Sequence, residues 1–167
     1  MLKLQRMNEV FLSLGSNQGN REANLIAAGR RLGALLGKPV RTSGIYRTKA
    51  WGKTDQPDFL NQVLSFHLAG GKEDWLLTRL NETERALGRV RNEKWEPRII
   101  DIDILFSGDR VIHSPSLIIP HPFLHLRRFV LAPLHEIAPE LMHPVLKKTI
   151  RELLMGCEDS LQVRKMN

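Results

Sequence analysis

Apolar residues along this chain recur with two different periods, which predict short strands and amphipathic helices. The apolar run at residues 10–14 predicts a buried strand, because turn-forming residues follow it directly. Apolar residues then recur at helical spacing between Asn20, a residue suited to cap a helix, and Gly37. A second helix is predicted between Glu73 and Gly88, where acidic residues open the pattern and glycine ends it.

The remaining elements complete an order that is typical of an α+β fold. The second helix is expected to bury Trp75 together with three leucines. Strands are also predicted at residues 40–47, 59–68, 99–106 and 111–113, and helical segments near 124–134 and at 148–155. The order strand, helix, strand, strand, helix, strand predicts a ferredoxin-like βαββαβ core. This core is a largely antiparallel sheet with helices on one face, to which further strands and helices are added.

The composition is that of one folded domain. The chain has 167 residues, of which 42% are hydrophobic, and this excludes an intrinsically disordered protein. Its one cysteine, Cys157, excludes an internal disulfide framework and a thiolate zinc cluster. We expect a single domain over residues 1–167, with 1–6 as an N-terminal extension and 157–167 as a frayed tail. Because neither a membrane helix nor a secretory signal is recognisable, we also expect a soluble, cytoplasmic protein.

The positions of the charged residues say more about the binding partner than the net charge does. The chain carries 25 Lys+Arg and 18 Asp+Glu, a formal net charge of +7, which indicates either an anionic partner or simply a basic surface. Acids and bases are mixed over most of the chain. The densest cationic group lies between Arg89 and Arg98, directly before two aspartates. A protein that only binds nucleic acid has little use for acids there, because they would repel phosphate.

These two aspartates, Asp101 and Asp103, lie in the strand predicted at residues 99–106. Side chains alternate across a strand, so both carboxylates point to one face and the intervening isoleucines to the other. Their Cα atoms are expected about 6.5 Å apart, since a strand rises about 3.3 Å per residue. Both carboxylates can therefore approach one or two Mg²⁺ ions, which prefer oxygen ligands. The alternative is an exposed sheet face or a salt bridge to Arg98.

The cations before the strand favour a phosphate-binding site. Arginine presents a planar fork that matches phosphate, and carboxylates for Mg²⁺ beside several guanidinium groups are what a nucleotide polyphosphate requires. The alternative is a solvated run of charge. The only glycine-rich segment of this kind, GSNQGN, lacks the Lys-Ser/Thr pair of a Walker loop. Side chains and metal, rather than a backbone nest, would therefore hold the phosphates.

The segment KWEPRIIDIDIL at residues 94–105 closely resembles the signature of the 6-hydroxymethyl-7,8-dihydropterin pyrophosphokinase family, which acts in folate biosynthesis. The resemblance extends over almost the whole chain. It runs in order through FLSLGSN, IYRTKAWG, QPDFLNQV, ERALGRVR, IPH and RRFVLAPLHEIAPEL. It implies an enzyme that transfers pyrophosphate from ATP to the hydroxymethyl group of a dihydropterin and releases AMP.

The resemblance also implies roles for residues on the nucleotide side. Asp101 and Asp103 are expected to bind two Mg²⁺ ions that bridge the phosphates of ATP, and Asp103 is a candidate to take the proton of the attacking hydroxyl. Arg89 and Arg98 match arginines around the triphosphate and complete the expected catalytic set. Trp95 is expected to fold over the site when its loop closes. The other residues expected to bind ATP are Asn81, Glu84, Arg91, Lys94, Ile104 and His121.

On the pterin side, the resemblance implies an aromatic slot with polar edges. Phe59 and Phe129 match the aromatic sandwich, and Asn17 and Asn61 match the residues that read the polar edge of the heterocycle. Arg127 is expected near the pterin and the phosphates. Backbone groups near Thr48 and Trp51 would add hydrogen bonds. Without the resemblance, the two phenylalanines would be interpreted as core residues and Asn17 as a turn residue.

The sequence departs from the family pattern at two positions, and two other functions are alternatives. Glu96 stands where relatives commonly carry glycine, which concerns the flexibility of the closing loop, and Phe59 stands where some carry tyrosine. A nucleotidyl or simple phosphoryl transferase could use the same carboxylates. A basic ferredoxin-like nucleic-acid binder is the candidate from another class, but no strand carries an RNP-like aromatic pair. We expect ATP and the pterin as partners, a monomer, and no nucleic acid or membrane.

Overall fold

The structure is a computed structural model that describes residues 6–50, 55–90 and 96–167. Four of the predicted site residues, Trp51, Arg91, Lys94 and Trp95, lie outside the described residues. No helix in the described ranges is long and apolar enough to cross a membrane.

The longer strands and helices follow the chain in the order that the periodicity predicts, and several short strands are added to them. The strands are β1 (Met7–Ser16), β2 (Arg41–Thr42), β3 (Tyr46–Thr48), β4 (Phe59–Ala69), β5 (Asp101–Ser107), β6 (Ile112–His113), β7 (Ile118–Ile119) and β8 (Val163–Lys165). The helices are α1 (Arg21–Leu36), α2 (Glu73–Ala86), α3 (Arg128–Ile137) and α4 (Ile150–Met155), with a 3₁₀ turn at Leu124–Leu126 before α3. Asn20 caps α1 as predicted, because its side-chain oxygen accepts the backbone N–H of Ala23 at 3.0 Å.

The main sheet has the strand order β5-β1-β4-β3-β8, and β2 pairs with β4 beside β3. The pairings β1–β4, β1–β5, β3–β4 and β3–β8 are all antiparallel. Four of these strands, β1, β3, β4 and β5, are connected through α1 and α2. They confirm the predicted ferredoxin-like βαββαβ core. The small strands β6 and β7 form a separate hairpin.

Helices cover both faces of the sheet, and not one face as predicted. On one face, α1 and α2 enclose a core that includes Leu12, Leu14, Ile102 and Ile104. On the other face, α3 and α4 pack on a second core that contains Phe11. The added C-terminal helices therefore bury a sheet surface that the core motif alone would leave exposed.

A bulge in β5 sets which residues reach the second core. Phe11 pairs with Phe106, but Leu12 pairs with Ile104, so Leu105 has no opposite residue on β1. The extra residue allows Leu105 and Phe106 to contribute together to the core beneath α3 and α4. Toward the start of β5, the regular alternation then carries the aspartates onto this same face of the sheet.

Two local predictions were wrong for physical reasons. The single strand predicted at residues 40–47 is broken between β2 and β3, where the Ser43 hydroxyl accepts the backbone N–H of Val63 at 2.9 Å in place of a backbone carbonyl. Trp75 is 41% exposed and does not belong to the buried face of α2, where Leu76 and Leu80 lie at 0% and 1% exposure.

The predicted fraying of the C-terminal tail was also wrong. Strand β8 pairs with the free edge of β3, and the Lys165 ammonium donates to the Glu136 carboxylate of α3 at 2.8 Å. A strand of three residues has too short a pattern to be recognised, and here the neighbouring strand edge supplies its hydrogen bonds.

We expect Arg128→Ala to lower the free energy of unfolding by about 1–3 kcal/mol, because it leaves partly buried acceptors without donors. The Arg128 guanidinium donates to the backbone oxygens of Asp159 and Cys157 at 2.9 and 2.8 Å and so holds the start of the tail. Urea unfolding measures the change, and Arg30→Ala, on the exposed side of α1, serves as the matched control. Equal stability of the two variants would contradict this anchoring role.

Candidate active site

The second sheet face is open where β1 and β5 extend beyond α3 and α4, and this opening forms a cavity of about 100 Å³. Antiparallel pairing places Asp101 opposite Gly15 and Asp103 opposite Ser13 at its floor. The cavity brings together eight of the predicted site residues: Thr48, Phe59, Asn61, Arg98, Asp101, Asp103, Arg127 and Phe129.

Asp101 is held by two arginines, one oxygen each. Arg89 Nη1 lies 2.6 Å from Asp101 Oδ1, and Arg98 Nη1 contacts Oδ2. The alternative of a salt bridge to Arg98 is therefore what the structure shows at this carboxylate. Because each arginine has further donors in its planar fork, the pair can hold Asp101 and still present N–H groups to another anion.

A buried carboxylate below the cavity positions this pair. Glu84 on α2 is 3% exposed, accepts the backbone N–H of Ile102 at 2.7 Å, and forms an ion pair with Arg89 at 2.6 Å. Burial, with a smaller contribution from the nearby Asp101 charge, raises the pKa of Glu84 above its usual range. Since the Ile102 N–H belongs to an edge strand, Glu84 both caps that edge and orients Arg89.

Asp103, unlike Asp101, lies in surroundings that disfavour its charged form. Loss of water around its carboxylate, and then the adjacent Asp101 charge, raise the pKa of Asp103 to about 7, although Arg127 and Arg98 oppose the shift. His121 Nε2 lies 3.9 Å from Asp103 Oδ2. Burial and the Arg127 charge lower the pKa of His121 to about 4, so this contact is not an ion pair at neutral pH.

The other wall of the cavity is aromatic and contains an amide donor. Phe59 from β4 and Phe129 from α3 both line it, and the Arg127 guanidinium lies 5.8 Å from the centre of the Phe129 ring. Asn61 is 3% exposed, and its Nδ2 has no hydrogen-bond acceptor among the described residues. An orphaned donor of this kind is costly unless a ligand accepts from it. Gly15 leaves room beside it, since a Cβ there would lie 3.3 Å from Asn61 Oδ1.

Asn17 acts below the cavity surface. It is 1% exposed, its Oδ1 accepts the backbone N–H of Arg98 at 2.7 Å, and its Nδ2 donates to Gln56 and to the Pro57 carbonyl. Both polar ends of its amide are thus used within the protein. In this structure Asn17 fastens the end of β1 to the two segments that flank the cavity, rather than lining the cavity itself.

Two further predicted ATP-binding residues lie away from this cavity. The Ile104 side chain is 5% exposed and packs in the core beneath α1 and α2, and Asn81 lies half-buried on α2. Six lining residues were not predicted from the sequence: Ser13, Gly15, Lys49, Gln56, Glu96 and Val130. Ser13 and Gly15 could have been found from the alternation of β1, but only once its pairing with the aspartates was known.

The donor set fits a divalent cation that has further ligands from outside the protein. The described residues contain no group of three or more His, Cys, Asp or Glu placed to hold a metal. Two carboxylates are what Mg²⁺ commonly takes from a protein when phosphates and water complete its shell. Burial and the adjacent Asp101 charge raise the pKa of Asp103, and a bound cation would favour the charged carboxylate instead.

The chain is similar to known proteins of one family. The family described as 7,8-dihydro-6-hydroxymethylpterin-pyrophosphokinase (HPPK) matches residues 11–139. The 2-amino-4-hydroxy-6-hydroxymethyldihydropteridine pyrophosphokinase of Aquifex aeolicus is 40% identical over 87% of this chain and 90% of its own length. The protein of the same name from Methylorubrum extorquens is 41% identical over 92% and 96%.

Solved structures support the fold. The chain superposes on a Plasmodium falciparum HPPK-DHPS structure with pteroate with a TM-score of 0.71 at 19% identity. The match covers 93% of this chain and 43% of the Plasmodium chain.

We expect Asp103→Asn to remove one contribution to the pH dependence of stability. The folded-state pKa of about 7 exceeds the value of about 4 for an unfolded aspartate, so this carboxyl binds more protons in the native state between these pH values. Asp103 should therefore contribute a fall in the free energy of unfolding as pH rises from about 4 to about 7, and the variant should lack this contribution. Urea unfolding across this range measures the difference. The exposed turn residue Asp109 supplies the control, Asp109→Asn, and an unchanged slope in Asp103→Asn would contradict the expectation.

Proposed function

Since the chain belongs to the 7,8-dihydro-6-hydroxymethylpterin-pyrophosphokinase family, we propose that it transfers pyrophosphate from ATP to the hydroxymethyl group of 6-hydroxymethyl-7,8-dihydropterin. The products are AMP and the pterin diphosphate, and the reaction belongs to folate biosynthesis. The observation that carries the proposal is the division of the cavity. Carboxylates and arginines line one side. The other side is an aromatic wall with an amide donor that has no acceptor among the residues that the structure describes.

The aromatic side suits a flat heterocycle with a polar edge. Phe59 and Phe129 offer apolar faces, and Asn61 Nδ2 offers a donor that a ring nitrogen or oxygen of the pterin can accept. Thr48 lies on the same wall. This arrangement would orient the hydroxymethyl group toward the two aspartates and hold it there, and positioning is a main source of rate acceleration in phosphoryl transfer.

The charged side suits a triphosphate. Arg89 and Arg98 already share Asp101, and Arg127 also lines the cavity. These guanidinium groups would stabilise the charge that accumulates on the transferred group. The role proposed for Glu84 is to position Arg89 from below, because its carboxylate is buried. His121, neutral at physiological pH, would act as a hydrogen-bonding group rather than as a cation.

Asp101 and Asp103 are the residues that would hold Mg²⁺, two ions in the full proposal. The metal, when bound, would neutralise phosphate charge and help to polarise the transferred group. Metal binding at Asp101 requires that its oxygens be shared with, or released by, the arginines that now contact them. We further propose that residues 1–167 form one domain, and that the enzyme acts as a monomer in the cytoplasm.

One assay tests the reaction. The protein is incubated with ATP, Mg²⁺ and the dihydropterin alcohol, and the nucleotide products are identified. AMP that appears only with the pterin is the expected result. ADP would instead indicate a simple kinase, and released pyrophosphate a nucleotidyl transferase. No turnover together with salt-sensitive oligonucleotide binding would favour the nucleic-acid binder.

We expect Asp101→Ala and Asp103→Ala to lower turnover by at least ~10³-fold while the protein stays folded, because each removes a proposed Mg²⁺ ligand. Turnover is measured with saturating substrates, and circular dichroism checks the fold. Asp109→Ala should retain wild-type turnover. Activity within a few fold of wild type in either cavity variant would contradict the metal role.

Asn61→Ala should raise the KM for the pterin roughly tenfold, the effect of losing one hydrogen bond, and leave the KM for ATP nearly unchanged. The free protein should lose little stability, because the substitution removes a donor that has no acceptor among the described residues. Steady-state kinetics with each substrate varied in turn, together with urea unfolding, separate these effects. An equal rise in both KM values would argue against an amide–pterin contact.

A further inference from the structure

Two arginines face each other directly at the free edge of the sheet. In the antiparallel pairing of β3 with β8, Arg47 is opposite Arg164. Residues opposite each other in such a pair have Cβ atoms about 4.5–5.5 Å apart, and like charges at this position are destabilising. An anion that lies between the two side chains would offset this repulsion.

The acids nearby do not balance this charge. Asp58 Oδ2 accepts from Arg47 Nε at 2.8 Å, and Lys49 Nζ lies 3.3 Å from Asp58 Oδ1. Arg21 Nη1 donates to the backbone oxygen of the same aspartate at 2.6 Å. Within the described part of the chain, no carboxylate lies within 4.0 Å of the Arg164 guanidinium. The Asp58 carboxylate is thus shared by two cations, Arg47 and Lys49.

A second concavity, of about 250 Å³, is lined by Arg47, Asp58, Gln162 and Arg164, none of which lines the catalytic cavity. Thr48 and Lys49 border both cavities, so the two lie next to each other along β3. Arg47 is adjacent to Thr48 in the strand, so its side chain points to the opposite face of the sheet.

From this geometry we propose that Arg47, Lys49 and Arg164 form a second anion site, which takes a small phosphate-type dianion. Three cations and the Asp58 carboxylate leave a formal charge of about +2, which matches a phosphoryl group in its dianionic form. Paired guanidinium groups suit such an oxyanion, because each offers parallel N–H donors. The cluster is concave and lies on one short strand pair, which favours a small ligand over the extended track of cations that a nucleic acid needs.

The test follows backbone amide resonances of β3 and β8 by NMR while inorganic phosphate is added to the full chain. Saturable shifts at both strands are expected, and sodium chloride at matched ionic strength should not reproduce them. Arg164→Ala should weaken the binding at least about tenfold. Arg89→Ala, which alters the catalytic cavity, should leave the affinity at this edge unchanged, as should Arg30→Ala on α1.

Asp58→Asn gives a second variant with the opposite expectation. Removal of the one carboxylate should tighten phosphate binding, because Arg47 and Lys49 lose their competing partner. This gain cannot be produced by a variant that merely fails to fold.

Several outcomes would overturn the proposal. Shifts that chloride reproduces would show screening only, and an unchanged affinity in Arg164→Ala would place the ion elsewhere. Loss of the shifts in Arg89→Ala alone would assign them to the catalytic cavity. Binding of a short oligonucleotide at this edge without saturable phosphate binding would indicate a nucleic-acid contact instead.

Discussion

The antiparallel pairing of β5 with β1 is the constraint on which the site depends. It places Asp101 opposite Gly15 and Asp103 opposite Ser13, where small residues leave space above the sheet. The neighbouring isoleucines of β5 point to the opposite face and are buried beneath α1 and α2. The same alternation therefore anchors the strand through its apolar side and exposes its acids to the cavity.

Charge compensation beneath the cavity then determines what each acid can do. Asp101 is neutralised by Arg89 and Arg98, and Glu84 fixes Arg89 from below. Asp103 has no such pair of arginine contacts among the described residues, and burial, followed by the Asp101 charge, raises its pKa to about 7. Two carboxylates only two residues apart thus differ in their electrostatic state, because one is enclosed by guanidinium groups and the other faces the opening.

The cavity keeps features that the free protein would be more stable without. Two groups raise the free energy of the folded state: Asn61 Nδ2, which lacks an acceptor in the described part of the chain, and Asp103, whose charge is disfavoured by burial and by Asp101. The two cores on either side of the sheet supply the stability that tolerates them. Such unsatisfied groups are expected where a ligand, rather than the protein, completes the interactions.

The local sequence pattern predicted much of the fold and of the site. The period of the apolar residues specified α1, α2 and the βαββαβ order, and the alternation around Asp101 placed both acids on one face. Motif resemblance indicated the family and most of the lining residues. These properties depend on neighbours within a few residues or on a contiguous motif, so a single chain is enough to detect them.

Contacts between distant segments decided the rest. The burial of Glu84, the use of the Asn17 amide within the protein, and the pairing of the tail with β3 each join residues that are far apart in the chain. The second helical layer and the arginine pair at the sheet edge arise in the same way. Strand register and packing bring these groups together, and no periodicity within one segment records which distant partner it will meet.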